Sequence, residues 1–192
     1  RMTESASASE RVEDALFSAV CACLGVDETT AAAQRRVRRS WPAASDPGAL
    51  PGFSRAENIC FLRVTPADEP YAAFTETQRE YDASADALRE TLSRCDAHAA
   101  LLVFYGPRAA EDARLVRDGL ASESVRRVLR RKKLYLTRPP AAPRRVPELS
   151  GGRWWERCDL ALTLYQAASR TQRADYFASA QVQTKGVTDA QS

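Results

Sequence analysis

At 192 residues, with 44% apolar and 28% charged side chains, the chain has the length of one domain and the composition of a globular protein that needs no covalent staple. Net charge is only +3, so the positive charge that matters is local. No apolar run reaches the ~20 residues of a bilayer span, which excludes a transmembrane helix from these residues.

Residues 1–9 are rich in Ser and Ala and lack the apolar centre of a secretory signal, and they read as a flexible N-terminus. Residues 10–183 read as a single α+β domain and residues 184–192 as a flexible polar tail. From Glu10 to Leu24, Val12, Ala15, Leu16, Ala19, Val20, Cys23 and Leu24 recur at helical spacing, which predicts an amphipathic helix stopped by Gly25. Ala32 to Trp41 alternates, Ala33, Arg35, Val37, Arg39 and Trp41 opposing Gln34, Arg36, Arg38 and Ser40. So polar an alternation predicts a charged edge strand, ended by Pro42. A long Pro- and Gly-rich loop runs to Arg55.

Asn58 to Thr65 reads as a strand, and Phe74 to Tyr81 as a polar one forming one arm of a projecting hairpin. The other arm, Ala87 to Cys95, continues into a central strand over Asp96 to Gly106. Apolar residues on both faces there predict cover on both sides. The period then changes to that of a helix over Arg108 to Ala121, with a second, capped by Ser122, reaching Lys133. Leu134 to Thr137 reads as a short strand, and Arg138 to Gly152 as a proline-rich connector. Trp154 to Tyr165 is a strand with Trp154, Cys158, Leu160, Leu162 and Leu164 inward and Trp155, Arg157 and Asp159 outward. Asp175 to Gln183 closes the sheet. The fold class is α+β: a largely antiparallel sheet packed by an N-terminal helix and a central helix pair. The expected core holds Leu16, Val20, Leu24, Phe61, Leu101, Val103, Val116, Leu160 and Leu162.

Chemistry-bearing patterns are sparse. The glycines form no phosphate loop, and no Gly-x-Ser-x-Gly elbow exists. Cys21, Cys23, Cys60, Cys95 and Cys158 read as small buried hydrophobes. Cys21 and Cys23 point in different directions from one helix, and His98 has no second histidine to join it at a metal. Glu111, Asp112 and Asp118 share a helix with Arg108, Arg114 and Arg117, as ion-paired surface charge would. Glu148 and Glu156, flanking Trp154-Trp155, are the one carboxylate pair that a hydrolytic reading could use. No catalytic, metal-binding or cofactor residue is assigned, and the chain reads as a non-enzyme.

Positive charge concentrates in Arg35, Arg36, Arg38 and Arg39, in Arg126, Arg127, Arg130, Arg131, Lys132 and Lys133, and in Arg144 with Arg145. A solvated face is the first reading; a nucleic-acid-binding module using Arg126 to Lys133 is the alternative. The segment Pro143 to Arg157 joins stiffening prolines to arginines and two adjacent tryptophans, the combination of an interface hot spot. Candidate interface residues are Thr75, Arg79 and Tyr81 on the hairpin and Arg144, Arg145, Trp155 and Arg157 in this segment.

Asn58-Ile59-Cys60-Phe61-Leu62-Arg63-Val64-Thr65 with Asp68-Glu69-Pro70-Tyr71, the step Phe104-Tyr105-Gly106-Pro107, the run Ala113 to Leu120, and Pro143 to Leu149 with Trp154-Trp155-Glu156-Arg157 together resemble tailed-phage neck and tail-terminator-like proteins. The similarity runs from about Val37 to Tyr165. It implies a structural virion protein, assembled in the host cytoplasm, whose copies form a ring of six at the head-proximal end of a tail. Such a ring stops growth of the tail tube and presents a surface to the head. The implied partners are further copies of the chain, the tail tube protein, a head-side connector or stopper protein, and DNA passing through the lumen without sequence-specific binding. No cofactor and no membrane are implied.

Overall fold

The computed structural model describes residues 8–39 and 52–175. Helix α1 (Ala8–Leu24) follows the sequence stripe, with Val12, Ala15, Leu16, Ala19 and Val20 buried. The flexible ends expected for residues 1–9 and 184–192 lie outside the described residues, apart from Ala8 and Ser9, which open α1.

The next element departs from the expected strand. Ala31–Arg36 is a helix, α2, and only Val37–Arg39 is a strand, β1. Thr30 decides this: its hydroxyl accepts a hydrogen bond from the Ala33 amide (3.3 Å), and the three alanines that follow are the best of helix formers. Trp41 and the loop through Pro51 lie outside the described residues.

Strands β2 (Ile59–Pro66), β3 (Thr75–Asp82) and β4 (Ala87–Tyr105) follow, with β4 running unbroken through both the polar arm and the central strand. Helices α3 (Ala109–Leu120) and α4 (Glu123–Arg131) come next. After them stand β5 (Leu134–Tyr135), β6 (Arg144–Arg145), β7 (Glu148–Ser150), β8 (Arg153–Trp155) and β9 (Arg157–Ala174). The expected connector therefore contains two short strands, β6 and β7. The strand expected to stop at Tyr165 continues to Ala174, and the closing strand expected over Asp175 to Gln183 lies outside the described residues beyond Asp175.

The main sheet has the order β1-β2-β4-β9-β5, with β3 on β4 and β6 on β9, and β7-β8 form a separate pair. β2 and β4 are antiparallel, from Ile59↔Tyr105 to Pro66↔His98, whereas β1 lies parallel to β2. The architecture is α+β with a mixed, mostly antiparallel sheet.

Period-two alternation divides the sheet. Cys60, Leu62 and Val64 of β2, Ala100, Leu102 and Phe104 of β4, and Cys158, Leu160, Leu162 and Leu164 of β9 form one core with α1, α3 and α4. Of the expected core, Leu16, Val20, Val103, Val116, Leu160 and Leu162 are buried, and Leu24, Phe61 and Leu101 are half-buried. Phe61 and Leu101 sit on the opposite face, where Ala97 and Val103 are buried but Ala99 is exposed, so the second side of the central strand is covered only in part. Both faces of the strand are apolar, and the pattern alone does not choose the one the helices take. Asp112 is a further departure: placed on the inward stripe of α3 between Ala109 and Val116, it is buried and ion-paired with Arg36.

Gly106 joins β4 to α3 at φ +106°, a conformation that side chains resist, and a Cβ there would meet the Glu57 carbonyl oxygen at 2.3 Å. Two compact units form: a larger one over residues 8–39, 52–74 and 94–168, and a smaller one over residues 75–93 and 169–175. The first holds the helices and the core. The second is strand alone.

Candidate assembly interface

In the larger unit, Gly151 and Gly152, at φ +58° and +72°, make the two-residue turn that suits a tight hairpin, and β7 and β8 pair as Glu148↔Trp155, Leu149↔Trp154 and Ser150↔Arg153. Alternation then gives the hairpin two different faces. One carries Glu148 and Trp155; the other carries Leu149 and Trp154.

Trp155 packs edge-on to Phe53, with ring centroids 5.3 Å apart, and near-perpendicular to Tyr105 at 6.4 Å. Phe53 also lies 5.4 Å from both Phe61 and Tyr105. These four half-buried rings cover one end of the open sheet face, and each tilted pair adds about 0.5–1.5 kcal/mol beyond its buried area. A polar latch crosses the cluster. The Tyr105 hydroxyl donates to Glu148 Oε2 (2.6 Å), and Arg157 Nη1 donates to the same oxygen (3.0 Å). Arg157 Nε and Nη2 form a fork onto the Asp159 carboxylate at 2.8 and 2.9 Å. The hydroxyl of Tyr105 and then the Arg157 guanidinium hold the Glu148 carboxyl below its ordinary range. Burial, with the Glu148 carboxylate behind it, pushes the Tyr105 hydroxyl up to about 12. The Arg157 guanidinium is held more firmly protonated by Asp159.

The other face of the hairpin has no such cover. Leu149 and Trp154 are 58% and 61% exposed although directly paired, and Val146 nearby is 37% exposed. Arg144 and Arg145, on β6 against β9, are exposed beside them in sequence. The orientation expected for the tryptophans is thus reversed: Trp155 turns inward and Trp154 outward. The inward phase of Cys158 and Leu160 does not carry back through Glu156, because β8 pairs with β7 and not with the main sheet. Glu148 and Glu156 form no dyad. Glu148 is taken by Tyr105 and Arg157, while the Glu156 side chain is exposed.

In the smaller unit every residue of β3 except Asp82 is exposed, Thr75, Arg79 and Tyr81 among them. Arg79 Nε donates to Glu90 (2.8 Å), the Tyr81 hydroxyl to Asp86 (2.7 Å) and Gln172 to Glu90 (3.1 Å). Asp82 accepts from the Ser84 hydroxyl and from the Ser84 and Ala85 amides, bonds that close the β3–β4 turn and hold the carboxyl below its usual range. Exposed polar pairs of this kind add little stability. The outer edge of β3 pairs with no strand among the described residues.

The remaining sequence candidates divide between structural and exposed. Arg36 pairs with Asp112 and Arg39 with Glu13 and Asp14, and Arg38 is buried, so the first basic cluster is largely absorbed into the fold. Cys21, Cys60 and Cys158 are buried with their thiols pushed up by desolvation, Cys21 to about 11. Among the described residues no cluster of His, Cys, Asp and Glu could hold a metal ion. Leu149, Glu148, Tyr105 and Phe53 were missing from the interface residues named from the sequence, Glu148 having entered only as half of a carboxylate pair. The Gly-Gly step was the available signal for the first two, since it marks a hairpin that sets its own phase.

A protein-family model described as phage neck terminator protein matches residues 12–187. The chain belongs to that family. No curated protein matches the chain. The resemblance seen over Val37 to Tyr165 is borne out and extends through α1 and beyond Ala174. As a phage neck terminator protein the chain is a structural component of the virion's tail and neck, a role that associates it with other tail and head proteins.

Proposed function

We propose that this terminator is one subunit of a homohexameric ring that caps the tail tube and joins it to the head-side connector or stopper, with DNA passing through the lumen without base-specific contact. The observation that carries the reading is the smaller unit. It is a sheet with an outer strand exposed at every residue but Asp82 and with polar cross-strand contacts in place of a core. Such a sheet is marginal alone, and a neighbouring copy that covers β3 supplies what it lacks. Copies that repeat one contact around a closed ring leave no such edge open.

Thr75, Arg79 and Tyr81 then meet the adjacent subunit. Arg144, Arg145, Leu149 and Trp154 meet a neighbour or a tail component, while Trp155 and Arg157 hold the hairpin that presents them. Class averages of the purified full chain, alone and with tail tubes, test this directly. Six-fold rings seated on tube ends are expected. Monomers at assembly concentrations, with bare tube ends, would overturn the ring.

A further inference from the structure

Helix α4 carries a charge density that the fold does not use. Ser122 caps it by accepting from the Val125 amide, and Val125 and Leu129 are buried, which fixes its rotation. Arg127 and Arg131 are exposed one turn apart, a rise of about 6 Å, and Lys132 and Lys133 continue the exposed run. Six basic residues stand between Arg126 and Lys133; Glu123, the one acid in α4, is already paired with Arg130.

Elsewhere arginines are commonly answered by acids: Arg36 by Asp112, Arg79 by Glu90, Arg89 by Asp82, Arg157 by Glu148 and Asp159. Arg127, Arg131, Lys132 and Lys133 have no ion-pair partner among the described residues. Cations in a last turn complement the helix dipole, which accounts for Arg130 and Arg131 but not for Arg127 or the two lysines beyond.

We propose that the exposed face of α4 contacts the phosphate backbone of double-stranded DNA. The face offers charge without an aromatic or apolar anchor, so a protein partner would rest on its cations alone, whereas phosphate contacts require only cations. A contact made to phosphates alone carries no sequence information, so the binding is independent of sequence. The choice of DNA over another polyanion rests on the reading of the chain as a neck ring.

Fluorescence anisotropy of the full chain with two unrelated labelled duplexes tests the proposal. Both duplexes bind alike, and four neutralised phosphates lower the affinity roughly 150-fold between ~50 and ~200 mM salt. Arg127→Glu with Arg131→Glu weakens binding at least tenfold and reduces the salt slope by about two. Arg35→Glu with Arg55→Glu makes the same change in net charge away from α4 and leaves affinity within about twofold. Equal losses in both double variants, or binding insensitive to salt, overturn the proposal. So does labelled polyglutamate bound as tightly as DNA and lost in the same variant, which would assign the face to an acidic protein. Rings counted by microscopy on the same samples separate the two readings: rings without DNA binding defeat the α4 contact alone, and DNA binding without rings defeats the ring alone.

Discussion

The Arg36 guanidinium meets the Asp112 carboxylate at 2.5 Å, with the Asp112 side chain only 4% exposed. The same guanidinium donates to the Asn58 carbonyl, and the Asn58 side chain accepts from the Arg108 amide at the start of α3 (2.8 Å). One short polar chain thereby ties α2, the approach to β2, and α3. It also explains why α3 tolerates a carboxylate on its inward stripe.

Removing one member of that pair leaves a charge in a desolvated site. Asp112→Ala should cost about 3 kcal/mol, the low end for a buried pair because Arg36 retains some solvent contact. The double variant Arg36→Met with Asp112→Leu should recover most of the loss, because it deletes both charges. Urea unfolding of the single and double variants checks this. A double variant no more stable than the single one would mean that the network's other hydrogen bonds matter more than the pair.

His98 gives the opposite expectation. It is 5% exposed, and neither ring nitrogen has a hydrogen-bond partner among the described residues. An unmet buried polar group costs free energy that an apolar side chain of similar volume does not. His98→Leu should raise stability by about 1 kcal/mol, seen as a higher melting temperature. A lower one would show that the imidazole is satisfied by bound water.

The latch at Glu148 makes a pH prediction. Its carboxyl is held below the ordinary range by the Tyr105 hydroxyl and Arg157, so the folded protein binds that proton less readily than the unfolded chain. Stability from this group is therefore present above the unfolded value of ~4.3 and is lost as pH falls through the lower folded value. The gap in melting temperature between the wild type and Glu148→Gln should close as the solution is acidified through that window. A gap that persists below it would show that Glu148 acts by packing and not by charge.

Much of the larger unit was legible because its signals are strong and local. The α1 stripe, the period change at Gly106 and the alternation from Cys158 to Leu164 each specify an element without outside help. Where two signals competed, alternation misled. Residues 32–39 alternate like a strand, yet the Thr30 cap and the following alanines form a helix for half of that length. Trp154 lies in phase with Cys158 by simple counting, but the chain leaves one sheet for another between them. The Arg36–Asp112 pair spans 76 residues and has no local signature at all. The candidate interface was legible as a segment, through its prolines, arginines and tryptophans, while the side that faces outward depended on a pairing partner that the pattern does not name.

The reversed tryptophans supply the sharpest test of that interface. Trp155 orders the hairpin by packing against two rings, Phe53 and Tyr105, and donates its indole N–H to the Ser150 carbonyl (3.3 Å). Trp155→Ala should therefore lower the melting temperature, since truncating a packed aromatic costs about 3–5 kcal/mol at full burial and less at this half-buried site. Trp154, 61% exposed opposite Leu149, has little to lose in the isolated subunit. Trp154→Ala should leave melting unchanged within about 0.5 kcal/mol and weaken assembly by ~2 kcal/mol or more, as expected of an exposed aromatic anchor. Melting and ring formation measured side by side separate the roles. Assembly unaffected by Trp154→Ala and by Leu149→Ala would remove the hairpin's outer face from the interface and leave β3 to close the ring alone.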